Sequence, residues 1–103
     1  MPDRDESYMR LALREAASAA LMGEIPVGAV LVGPDGAVVA RAHNQRESSH
    51  SVKGHAELLC IEAACEALGN WRLSGCTLYV TLEPCPMCAG ACLQARLGRV
   101  VYG

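Results

Sequence analysis

His55-Ala56-Glu57 and Pro84-Cys85-Pro86-Met87-Cys88 are two short blocks, well apart in the chain, that together carry three metal-grade donors and one carboxylate. If one ion uses all three donors, only folds that bring the two blocks to a point are admissible. One imidazole and two thiolates make three ligands of a tetrahedral zinc site. A structural site normally closes with a fourth Cys or His, whereas a hydrolytic site leaves that position to water. His55, Cys85 and Cys88 are therefore the candidate metal ligands, and Glu57 is the candidate proton carrier.

The surrounding pattern places both blocks at helix starts. Apolar residues at Leu58, Leu59, Ile61, Ala64, Cys65 and Leu68 predict a helix from His55 to Leu68, ended by Gly69. Pro84 stands where a helix accepts its first residue, and Cys85 to Gln94 carries small and apolar residues at helical spacing before Gly98. Cys85 and Cys88 are three apart, so their sulfurs face one way on a helical turn. Unpaired N–H groups and the positive end of the macrodipole there favour thiolate over thiol.

Elsewhere, Met9, Ala12, Leu13, Ala16 and Ala20 predict a first helix from Asp5 to Met22. Val27 to Val32 and Val38 to Ala42, joined by Gly33-Pro34-Asp35-Gly36, read as an antiparallel hairpin. His43 to Gly54 is polar and reads as a loop, while Thr77 to Val80 and Val100 to Tyr102 are short strands. The order predicts one α/β layered domain over residues 1–103, its sheet antiparallel at the hairpin and parallel across the later crossovers.

The 103 residues suffice for one core and not for two. A net charge of −2 gives no global field for a polyanion, so any nucleic-acid contact rests on local Arg and Lys. Six cysteines would form a disulfide framework in a secreted protein, but the N-terminus lacks a charged segment leading into an apolar stretch with a cleavage site. The expectation is a cytoplasmic protein with no membrane span. Cys60, Cys65, Cys76 and Cys92 read as small buried hydrophobes, and Trp71 as an anchor for the loop after the second long helix.

A lone Cys-x-x-Cys is equally a redox pair or half of a structural zinc ribbon. Closing such a ribbon needs a fourth ligand, and His43, His50, Cys60, Cys65, Cys76 and Cys92 show no spacing that forces one. The combination His-x-Glu with Pro-Cys-x-x-Cys marks zinc-dependent base deaminases. The chain resembles the cytidine deaminase superfamily, most closely the bacterial tRNA-specific adenosine deaminases. The matching stretches are 23–30, His43-Asn44, His55-Ala56-Glu57, and 81–91 continuing through Arg99 to Gly103.

The resemblance implies a cytidine deaminase-like three-layer fold, one Zn2+ per chain and hydrolytic conversion of adenosine to inosine at the tRNA anticodon wobble position. Water activated by zinc would attack C6 of adenine, with Glu57 moving protons from water to the ring nitrogen and then to the amine. Asn44 would hydrogen-bond the nucleoside, Ala56 would offer its backbone N–H to the base, and Val27 would pack on the base face. From the residues alone, Asn44 equally satisfies loop backbone groups, and Val27 equally belongs to the core. Lys53, Arg46 and Arg72 could contact phosphate, although surface cations are usually just solvated; Glu83 could orient a ligand or water.

Ser51-Val52-Lys53-Gly54 replaces the Asp-Pro-Thr-Ala-like approach usual in the family, which frees the backbone at the pocket mouth. The family also continues past the equivalent of Gly103, so the chain reads as C-terminally truncated. That predicts an exposed edge at Val100 to Tyr102 that favours a homodimer, and weakened tRNA binding. Two alternatives remain: a deaminase of free guanine, cytosine or cytidine, and a non-catalytic zinc-stabilised subunit, against which the intact Glu57 argues.

Overall fold

Strand β1 (Gly28–Val32) is buried on both faces and forms the middle of the molecule. Its alternation sends Ala29 and Leu31 to one side and Val30 and Val32 to the other. The computed structural model describes residues 2–51 and 53–103; Val52, in the approach to the His-Ala-Glu block, lies outside them. Helix α1 (Pro2–Leu21) covers the Val30 face. The opposite face carries α3 (Ala56–Leu68) and α4 (Pro86–Gln94), giving three layers around one sheet. No helix among the described residues is long and apolar enough to cross a membrane.

Helix α1 lies unusually close to β1. A Cβ on Gly28 would sit 2.0 Å from the carbonyl oxygen of Ala12 and 2.4 Å from the backbone nitrogen of Ala16. The buried alanines Ala12, Ala16 and Ala19 complete this contact. At its other end α1 is tied to the sheet by Asp5, which accepts hydrogen bonds from the Tyr79 hydroxyl and from Arg99. Helix α1 begins at Pro2, earlier than the periodicity alone indicates, because a proline and acidic residues suit a first turn.

The sheet order is β2-β1-β3-β4, with β2 (Val38–His43), β3 (Thr77–Val80) and β4 (Arg99–Tyr102). β1 pairs antiparallel with β2, as the hairpin predicts, but also antiparallel with β3; β3 and β4 pair parallel. The expectation of parallel pairing across both later crossovers therefore holds only for the second. Helix α3 carries the chain from β2 over β1, so β3 enters in the direction of β2 but lies against β1, which runs the other way.

The predicted 43–54 loop contains one further helical turn, α2 (Arg46–Ser49). It is held from outside. The buried Glu24 carboxylate accepts the Glu47 N–H at 3.2 Å, and Gln45 N–H donates to the Gly54 carbonyl at 2.7 Å. A Cβ on Gly54 would come within 2.7 Å of Arg46 N, so the segment closes on itself only with glycine there.

Candidate active site

Strands β2 and β3 end, and β1 begins, at the same end of the sheet. Asn44, the segment after Val80, and Val27 therefore arrive together, and α3 and α4 start above them. His55 is the N-cap of α3 and Cys85 the N-cap of α4, both extended. The helices thus begin one and two residues later than the sequence predicts. Pro86 explains the second shift: it takes the first helical position and disfavours helical backbone in the residue before it. Neither N-cap side chain bonds its own helix end, and Cys88 follows in the first turn of α4.

These positions bring His55, Cys85 and Cys88 together, with their ligand atoms all within 4.8 Å of one another. Cys85 Sγ lies 3.8 Å from His55 Nδ1. Zinc–sulfur and zinc–nitrogen bonds of standard length at a tetrahedral angle separate such atoms by about 3.6 Å, so the donor set fits zinc. No fourth His, Cys or acidic residue joins the group among the described residues. His43 instead pairs with Glu15 at 3.0 Å.

Glu57 is buried beside the donors. Burial first, then the Glu57 carboxylate, pushes the Cys88 thiol well above its ordinary range. A bound cation would offset both effects and favour the thiolate, beyond what the helix start contributes. Cys60, Cys76 and Cys92 are buried and Cys65 half-buried, all free thiols, with burial raising Cys60 to about 12.

A cavity of about 150 Å³ opens on this group, lined by Ile25, Val27, Asn44, Arg46, His55, Glu57, Leu82, Glu83 and Cys85. Val27 serves the core and the cavity wall at once. Asn44 is buried, and its Oδ1 accepts the Ala56 N–H at 2.8 Å. The N–H that the resemblance would have Ala56 offer to a base is thus engaged by Asn44 in this structure. Asn44 keeps its amide NH2, the group left to meet a ligand.

Of the expected phosphate contacts only Arg46 lines the cavity; Lys53 and Arg72 do not. Arg72 stacks on Trp71 at 5.1 Å, and the Trp71 ring is 57% exposed, so it does not anchor the loop by burial. Ile25, Leu82 and Glu24 belong to the site or its support and carry no role in the sequence reading. The available signal was apolar or acidic residues beside the motif blocks that fit neither strand nor helix periodicity.

A tRNA-specific adenosine deaminase of Bacillus subtilis (strain 168) is 57% identical over 97% of this chain, which spans 62% of that protein's length. A structure from a study of A-to-I editing by tRNA:A34 deaminases at the wobble position of transfer RNA superposes with TM-score 0.92, at 53% identity, covering 95% of this chain and 75% of the other. The guanine deaminase of Bacillus subtilis superposes with TM-score 0.91 at 39% identity, covering 95% and 62%. The family described as the cytidine and deoxycytidylate deaminase zinc-binding region matches residues 2–103, and the chain belongs to that family.

Proposed function

We propose that the chain is a single deaminase domain that hydrolyses adenosine to inosine in RNA, with the tRNA anticodon wobble position as its target. The observation that carries this is the buried Glu57 beside the His55, Cys85 and Cys88 donors, with Glu57, His55 and Cys85 lining a base-sized cavity. The identities to a tRNA-specific adenosine deaminase and to a tRNA:A34 deaminase structure support the substrate.

His55, Cys85 and Cys88 would hold zinc, which when bound would supply the Lewis acidity that makes water a nucleophile at neutral pH. Val27 packs on the base face, and the Asn44 NH2 donates to the nucleoside. Glu57 takes a proton from the attacking water and gives it to N1 as the bond from water oxygen to C6 forms. It then carries the second proton to the exocyclic amine, the C6–N bond breaks, and ammonia leaves. Its burial keeps bulk water from competing for these protons.

Likeness to a guanine deaminase favours a second reading, hydrolysis of free guanine. Zinc-loaded protein given an anticodon stem-loop, single-stranded DNA, free nucleosides and guanine separates the two. Inosine in the stem-loop is the expected product; xanthine from guanine with no inosine overturns the RNA reading. Glu57→Ala retains zinc and loses turnover; an active Glu57→Ala protein removes the proton role. A cytoplasmic, homodimeric assembly fits six cysteines without a disulfide and the exposed Val100 and Tyr102 on the β4 edge. Hydrodynamic size tests the dimer.

A further inference from the structure

The geometry points to Arg46 as the residue that binds the phosphate linking the target nucleotide to its neighbour, with the depression beside it receiving that neighbour. This rests on the RNA reading above and narrows it to a nucleotide held within a strand. The cavity over Glu57 has room for a base, so the sugar and phosphate of a bound nucleotide stay at its rim. Among the described residues, Arg46 is the only cationic side chain lining that cavity apart from the metal-ligand candidate His55. It also lines an adjoining depression of about 170 Å³ with Glu47, His50 and Ser51, and so stands on the ridge between the two.

Two features leave Arg46 available to an anion and hold it in place. The ion pairs among the described residues engage Arg10, Arg41, His43 and Arg99, and no carboxylate pairs with Arg46. Its backbone is fixed: its carbonyl accepts the Ser51 N–H at 3.2 Å, Gly54 packs on its nitrogen, and Glu24 holds the next residue. A guanidinium fixed at its base binds phosphate by a planar fork with little further ordering. Glu47 in the depression disfavours a phosphate there, which leaves the anion to Arg46. The hydroxyl, imidazole and carboxylate of Ser51, His50 and Glu47 suit hydrogen bonds to a base edge.

The test measures binding of a labelled anticodon stem-loop to zinc-loaded Glu57→Ala protein across a salt series, with and without Arg46→Gln or Arg46→Lys. Arg46→Gln is expected to weaken binding about tenfold and to lower the slope of log K against log salt by about 0.7, one phosphate of a single strand. Arg46→Lys restores the slope because it restores the charge, and Arg14→Gln on the far layer changes neither. In otherwise intact enzyme, Arg46→Gln raises KM for the stem-loop by a similar factor and affects free adenosine far less. An unchanged salt slope, or equal losses on strand and nucleoside, overturns the role of Arg46 while RNA turnover stands. Guanine turnover without RNA binding overturns the RNA reading and this one together.

Discussion

The proposed contact of Asn44 with the nucleoside is separable from its observed contact with Ala56, and paired substitutions divide the two. In Asn44→Ala the Ala56 N–H, fully buried at the start of α3, loses its 2.8 Å acceptor. An orphaned buried donor costs about 1–3 kcal/mol. In a domain of this size that lowers Tm by roughly 5–15 °C. Asn44→Asp keeps an oxygen for the N–H, and a carboxylate at a helix start is favourable, so stability recovers to within about 1 kcal/mol of the parent. The carboxylate has no amide NH2 to give a substrate and places a second negative charge near Glu57. Turnover therefore stays down about a hundredfold in both variants, on the scale of one lost transition-state hydrogen bond. Thermal melts of the zinc-loaded proteins and inosine release are the two assays. An Asn44→Ala protein as stable as the parent, or an Asn44→Asp protein as active, refutes the division.

Gly28→Ala drives a methyl into the α1 backbone at Ala12 and Ala16 and is expected to cost about 3 kcal/mol or more; an unchanged urea midpoint means α1 does not press on β1 as described. Hydrogen bonds from Arg99, then from Tyr79, hold the Asp5 carboxyl at about 2, below the ordinary 3.8. Its contribution is present above the unfolded value and is lost as pH falls from about 4 toward 2. Asp5→Asn therefore removes part of the acid sensitivity, read as a flatter Tm profile across that window. Chelating zinc lowers Tm and re-addition restores it, because metal-binding energy is folding energy when the site exists only in the folded chain; a Tm indifferent to chelator contradicts a metal held by His55, Cys85 and Cys88.

The parts of this molecule that were legible in the sequence are those encoded over short distances. Periodicity located every strand and the three long helices among the described residues within a few residues, and the candidate ligand trio showed in two short blocks because each donor sits beside a helix start. Errors arose where one local preference overrode another, as when Pro86 rather than Pro84 took the first helical position and left Cys85 extended. A single turn such as α2 has no periodicity to detect; it is made by Glu24 from another segment and by the fit of Gly54.

The walls that would face a substrate are long-range products of topology. Ile25, Arg46 and Leu82 meet because β1 runs opposite to both of its neighbours, so the start of one strand and the ends of two others open at one edge. Nothing local announces that arrangement, since β3 reaches β1 only after α3 has crossed over it. The same arrangement engages the Ala56 N–H with Asn44, which a motif match cannot show. The candidate metal site was therefore readable from the two blocks, whereas the cavity walls depend on how three separated segments converge.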